Sequence, residues 1–168
     1  MSFREVKPEE LQMNPFSKIG KEWMLITAVT EDKINTMTAS WGGLGVFWGT
    51  NVATVYIRPQ RYTKEFVDAN ETFTISFLPE EYRKALNLCG SVSGRNRDKI
   101  AEAGLTPFFT DGAPAFEEAG MVLVCKKIYE DFMPSENFIA KENDAKWYPE
   151  KDYHTMYISE IVKVLVKE

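Results

Sequence analysis

Two short stretches of the chain gather groups that bind phosphate. Arg61-Tyr62-Thr63-Lys64 sets two cations around a hydroxyl at the start of a predicted helix, where the first turn leaves amide hydrogens free. Ser91-Val92-Ser93-Gly94-Arg95-Asn96-Arg97-Asp98-Lys99 repeats the arrangement with two hydroxyls, a glycine and three cations. Many solvated helix caps look like either one alone. Both, however, fall in the basic part of an acidic chain: eight basic and six acidic residues lie between Arg58 and Lys99, and the remainder carries a net charge of −7. The pair points to a phosphorylated cofactor rather than to an inorganic ion or nucleic acid.

A third stretch, Asn35-Thr36-Met37-Thr38-Ala39-Ser40-Trp41-Gly42-Gly43, places small hydroxyl side chains and bare backbone beside an indole. Such a segment can hydrogen-bond the rim of a heteroaromatic ring and stack on its face, although an ordinary Thr/Ser strand with a core tryptophan has the same composition. Gly43-Leu44-Gly45 with Gly49 faintly echoes a dinucleotide fingerprint, but the residues that follow read as extended, and that fingerprint needs a helix. A glycine-rich turn before an edge strand fits better. Cys89 reads as a small apolar filler at a helix end rather than a reactive thiolate. His154, the sole histidine, is either a strand residue with a local partner or a functional group.

The elements that must position these groups are mostly strands. Trp23 to Thr30 is rich in β-formers and closes on the polar turn Glu31-Asp32-Lys33, so a hairpin to a second strand, Ile34 to Trp41, follows. The uncharged run from Ile34 to Ile57 resolves into two strands and a polar, glycine-bearing loop, the second strand being Val52 to Ile57. Thr63 caps a short helix through Asn70, with Phe66 and Val67 facing inward and Asn70 as its left-handed stop. Phe73 to Phe77 alternates as a half-buried strand. Pro79 opens an amphipathic helix carrying Tyr82, Leu86 and Cys89 and stopping at Gly90; another runs from Asn96 to Ala103 and ends at Gly104. Met121 to Cys125 and His154 to Val166 read as strands, the latter with a bulge near Glu160. The acidic segment from Glu130 to Lys151 has no periodicity. Strands with only short helices between them, and no βαβ alternation, predict a mainly β chain folded as an antiparallel barrel.

With 168 residues, 44% hydrophobic and 27% charged, the chain suits one globular domain spanning residues 1–168. A net charge of −5 opposes a general role in gripping nucleic acid or an anionic membrane. The two cysteines, Cys89 and Cys125, form no ligand cluster, so no metal site and no disulfide framework is expected, and a reduced, cytoplasmic setting fits. The charged start MSFREVKPEELQ is unlike a signal peptide.

Taken in order, INTMTASWGG, YIRPQRYTKEFVDANETFTISF, LNLCGSVSGRNRDK and DYHTMYISEI resemble the flavin reductase-like family with the FMN-binding split β-barrel, in particular its flavoredoxin-like members. The resemblance runs from about Met24 to Val166. It implies an FMN-dependent oxidoreductase that passes electrons from NAD(P)H or a redox protein through FMN, in preference to FAD, to an acceptor. The alternative it allows is a non-catalytic electron carrier. By the same resemblance, Asn35, Thr36, Met37, Thr38, Ala39, Ser40 and Trp41 would line the isoalloxazine and ribityl chain. Arg58, Arg61, Tyr62 and Thr63 would flank the phosphate. Cys89, Gly90, Ser91, Ser93, Arg95 and Lys99 would close the site, with Lys99 offering the direct charge. Family members are homodimers with a flavin at each subunit interface. Many that use NAD(P)H carry Gly-Asp-His where this chain has Asp152-Tyr153-His154, so His154 is the candidate catalytic residue while the departure weakens the case for nicotinamide binding.

Overall fold

Alternating apolar residues in Thr72–Phe77, a nearly continuous apolar run in Met24–Thr30 and β-branched residues in Thr50–Ile57 favour extended structure. The computed structural model, which describes residues 2–31 and 33–168, assembles ten strands. These are β1 (Phe3–Val6), β2 (Met24–Thr30), β3 (Lys33–Ala39), β4 (Gly42–Phe47), β5 (Thr50–Ile57), β6 (Thr72–Phe77), β7 (Pro107–Thr110), β8 (Ala113–Phe116), β9 (Met121–Phe132) and β10 (Thr155–Lys167). Five short α-helices join them: α1 (Pro15–Ser17), α2 (Thr63–Asp68), α3 (Arg83–Ser91), α4 (Lys99–Glu102) and α5 (Lys141–Trp147). Asp32, in the middle of the expected hairpin turn, lies outside the described residues. No helix among the described residues is long and apolar enough to cross a membrane.

One antiparallel sheet runs in the order β3-β2-β6-β9-β10-β5-β4, with β1 added against β10, and β7-β8 forms a separate hairpin. The two ends of this order, β3 and β4, are consecutive in sequence and joined only by Ser40 and Trp41. Three Cα steps span at most roughly 11 Å, so the sheet must curl until its edges meet at that corner. They meet covalently without pairing by hydrogen bonds, and this opens a split in the barrel wall at Ser40-Trp41.

The barrel interior holds Ile26, Met37, Val55, Ile57, Phe73, Ile75, Leu123 and Tyr157. A second cluster, Leu25, Leu86, Cys89, Leu105, Phe116 and Val122, lies on the outer face of the sheet beneath α3 and the β7-β8 hairpin. β2 thus buries both faces, which is why its sequence is apolar at nearly every position.

Several expectations are corrected. The segment from Ile34 to Ile57 holds three strands, because Gly42 to Gly45, expected as a turn, joins Val46 and Phe47 in a strand that pairs along β5 from Gly42↔Val55 to Phe47↔Thr50. Trp48 and Gly49 both take positive φ, 50° and 72°, and make the two-residue turn whose twist suits a hairpin. Gly42 is required there, since a Cβ would lie 2.7 Å from the Thr54 carbonyl oxygen. Thr63 does not cap α2; it is the first helical residue and its hydroxyl accepts from Asn35 Nδ2 at 2.9 Å. Asn70 is not a left-handed stop, and its side-chain amide instead donates to the carbonyls of Val29 and Phe66. α3 continues through Gly90 to Ser91, and the helix expected over Asn96 to Ala103 shrinks to α4, capped by Asp98 and ended at Gly104 with φ 68°. β9 runs well past Cys125, and the acidic segment after it contains the 3-10 turn Ser135–Asn137 and α5. The bulge expected near Glu160 resolves into two breaks of the β9-β10 register, one between Ile158 and Ser159 and one between Ile161 and Lys163.

Candidate functional site

At the split, the end of β3 and the start of β4 face the end of β5 and the residue before β10. The corner carries two connected depressions. A shallow one of about 140 Å³ is lined by Met37 to Trp41, Tyr56, Arg58, Arg61 and His154. A wider one of about 510 Å³ continues past Trp41 and His154 to Gly43, Leu44, Phe16, Met133 and Tyr148. The nine lining residues of the first depression come from three separate stretches of chain, 37–41, 56–61 and 154, and the curl of the sheet brings those stretches together.

α3 walls one side. Its Leu86 carbonyl accepts from Thr38 Oγ1 at 2.5 Å, and Gly90 approaches so closely that a Cβ would meet Thr38 Cβ at 3.2 Å. Arg61 Nη1 donates to the Gly90 carbonyl at 3.2 Å. No carboxylate pairs with Arg61 among the described residues, and burial pulls its guanidinium below the usual arginine range. A half-buried cation with donors to spare, opening onto Thr38 and Ser40, is suited to hold an anion.

The other cations are already engaged. Lys99 is only 4% exposed and donates to the Cys89 and Val92 carbonyls at 3.0 and 2.9 Å, closing the C-terminal end of α3. Burial, and then the nearby Arg61, lower its ammonium to about 8. Arg58 pairs with Asp152 at 2.8 Å, donates to the Trp147 carbonyl and lies over the Tyr148 ring. Arg95 pairs with Glu65 and stacks 4.2 Å from the centroid of Tyr62, and Arg97 pairs with Glu102.

The structure therefore gathers Met37, Thr38, Ala39, Ser40, Trp41, Arg58, Arg61 and His154 around one opening, with Gly90 behind them. It sets the others apart. Asn35, Arg95 and Lys99 line a different depression, of about 640 Å³, beside Lys33 and Gly94. Asn35 is spent on Thr63, and Gly94 packs so tightly that a Cβ would lie 2.0 Å from Asn35 Oδ1. Thr36 is buried against Thr27, hydroxyl to hydroxyl at 2.8 Å. Ser91 folds its hydroxyl back onto the Asn87 carbonyl, and Ser93 Oγ accepts from the Arg95 amide. Cys89 is fully buried and burial raises its thiol, as suits a filler.

His154 shares its Nδ1 with the Tyr148 hydroxyl at 2.6 Å, and its ring centroid lies 5.4 Å from that of Trp41. Burial, then the positive field of Arg58, depress the imidazole to about 4, so it is neutral at pH 7. Tyr56 and Tyr148 were not legible as site residues. Tyr56 could have been found, because it shares the outward face of β5 with Arg58 at a spacing of two. Tyr148 follows a helix with no periodic signal.

The fold has known counterparts. Flavoredoxin of Desulfovibrio vulgaris (Miyazaki F) is 27% identical, with 87% of this chain and 69% of that chain covered and a TM-score of 0.68. Flavoredoxin from Methanosarcina acetivorans is 21% identical over 95% of this chain and 76% of that one, at 0.71. An FMN-binding domain of a flavin reductases-like enzyme from Shewanella baltica OS155 is 18% identical over 98% and 77%, at 0.69. No curated protein sequence matches the chain. The model of the flavin reductase like domain matches residues 16–168, which takes in both sides of the split and the whole of the cleft, and the chain belongs to that family.

Proposed function

We propose that the chain is an FMN-binding oxidoreductase whose flavin sits in the cleft at Ser40-Trp41. The observation that carries this reading is Arg61, a half-buried cation without a carboxylate partner among the described residues, at the inner end of an opening walled by backbone, hydroxyls and an indole. FMN, when bound, supplies the redox chemistry, accepting a hydride from NAD(P)H or electrons from a redox protein and passing them on. The backbone and hydroxyls of Met37 to Ser40 bind the ring edge and ribityl chain, and Trp41 packs at the ring. Arg61 meets the phosphate, with Arg58 beside it, and Tyr62 and the buried Thr63 anchor the turn that carries Arg61. Lys99 adds its charge from behind, and Gly90 keeps the wall thin. Cys89, Ser91, Ser93 and Arg95 shape that wall rather than touch the ligand. His154, neutral and beside Trp41, faces the incoming donor.

We further place the protein in the cytoplasm, as a homodimer in which each copy covers the other's cleft. Trp41, Phe47, Trp48, Tyr129, Phe132 and Trp147 are all more than 40% exposed, an aromatic display that one chain in water seldom keeps bare. The same rim favours a second reading, an electron carrier, because Trp41 and Trp147 meet edge to face at 5.1 Å at the cleft mouth, where a redox protein would dock.

An absorption spectrum of the purified protein, followed by anaerobic addition of NADH, NADPH and dithionite, tests both. Flavin bands that bleach with a pyridine nucleotide support the reductase. Bleaching with dithionite alone supports the carrier, and failure to bind added FMN overturns both.

A further inference from the structure

Tyr148 follows α5 and His154 precedes β10, so the intervening loop folds back to bring their side chains together. Both are buried, and the 2.6 Å between Oη and Nδ1 has room for one proton. The phenolic oxygen has no other hydrogen-bond partner among the described residues. If Nδ1 were the donor, the phenolic hydrogen would be left in the interior without an acceptor; if the phenol donates, every buried hydrogen of the pair is used.

Neighbouring charges agree. Arg58 is the cation facing the pair, with its guanidinium carbon 4.8 Å from the Tyr148 ring centroid. The nearby carboxylate among the described residues, Asp152, meets Arg58 at 2.8 Å and Gln60 at 2.6 Å, both through Oδ2; its Oδ1 is sealed without a partner, and neither oxygen makes a hydrogen bond to the imidazole. Tyr56 and Trp41 present ring faces and edges. The second ring nitrogen, Nε2, has no partner within the described residues and is not among the sealed polar atoms that lack one. It opens on the cleft.

We propose that Tyr148 is a positioning residue: by donating to Nδ1 it fixes His154 as the Nε2–H tautomer, so the cleft offers a hydrogen-bond donor beside Trp41 and selects flat, uncharged ring systems that carry a carbonyl oxygen. The tautomer is a property of the chain, while the choice of ligand rests on the flavin reading above.

Because His154 is the only histidine, a long-range proton–nitrogen correlation spectrum of the 15N-labelled protein contains one imidazole. At pH 7 the expected pattern has the proton on Nε2, with and without added FMN. Tyr148→Phe, which keeps the ring and loses the donor, is expected to let an Nδ1–H population appear. A proton on Nδ1 in the parent, or an unchanged pattern in Tyr148→Phe, overturns the assignment. Should that variant not fold, fluorotyrosine in the parent is the substitute. It is a stronger donor, so Nδ1 is expected to shift further toward its hydrogen-bonded position, and an unmoved resonance overturns the assignment. With FMN bound, Tyr148→Phe is expected to lose about tenfold in the rate of flavin reduction and less in FMN affinity. The reverse order overturns the role facing the ligand. If the protein takes up no FMN, the flavin reading fails while the tautomer result stands.

Discussion

Arg61 Nη1 donates to the carbonyl of Gly90 at 3.2 Å, which ties the loop after β5 to the last turn of α3 and holds the guanidinium at the inner end of the cleft. The bond uses one of five donors, so the others remain for a ligand.

The first prediction follows from that surplus. Arg61→Ala is expected to weaken FMN by ten- to a hundredfold, the worth of about 1.5–3 kcal/mol for a charge-assisted hydrogen bond, and to weaken riboflavin much less. Fluorescence titration with both ligands reads the difference. Equal losses would place the phosphate elsewhere.

Lys99 answers to a different measurement. Its amine is lowered to about 8 by burial and by Arg61, against the ordinary 10.5, so the native state gives up the proton before the unfolded state does. Between pH 8 and 10.5 the unfolded chain binds more protons, and this group makes the parent more stable as pH rises through that window. Chemical denaturation of the parent and of Lys99→Met across those pH values is expected to show the gain in the parent alone.

His154 works in the acid range with the same sign. Held at about 4 when folded and near 6.5 when unfolded, it is protonated first in the unfolded chain, so acidification from pH 6.5 to 4 removes stability. The slope from one proton is at most about 1.4 kcal/mol per pH unit. Comparing urea midpoints of the parent and His154→Gln isolates it; parallel curves would mean that the imidazole is not held neutral.

Gly94 sits against Asn35 with no room for a methyl group, since its Cβ would lie 2.0 Å from Asn35 Oδ1. Gly94→Ala must push Asn35 off Thr63, and a loss on the order of 1–3 kcal/mol is expected. Asn35→Ala should remove most of that penalty in the double variant, because the atom in the way is gone.

The aromatic rim predicts the assembly. Sedimentation equilibrium is expected to give twice the mass of one chain, and Trp48→Glu, at the tip of the β4-β5 hairpin, is expected to shift the population toward monomer. A monomer with FMN still bound would contradict the shared cleft.

Much of this molecule is written locally. The alternation of Phe73 to Phe77, the apolar run of β2 and the hydroxyl-rich Thr36 to Ala39 mark strands by residue type and short-range pattern, and packing on the sheet completes the preference. The motif residues around Trp41 and Arg61 were legible for the same reason: residue type and short spacing specify which chemistry is on offer. What the residues do with that chemistry was decided by tertiary contacts. Nothing near Lys99 in sequence says that its ammonium faces the carbonyls of Cys89 and Val92 rather than a ligand, since that depends on how α4 docks on α3. Gly42 to Gly45 looked like a turn because glycine has little strand preference of its own; pairing with β5 makes it part of an edge strand, and the 2.7 Å clash that any Cβ at Gly42 would meet keeps that position glycine. Tyr148 met His154 only when the loop between them folded back. The inventory of groups is a property of the chain, but burial, pairing and tautomer are properties of the neighbours that the closed sheet supplies, and those can come from distant residues, as from Phe3 and Lys167, which pair on the neighbouring strands β1 and β10.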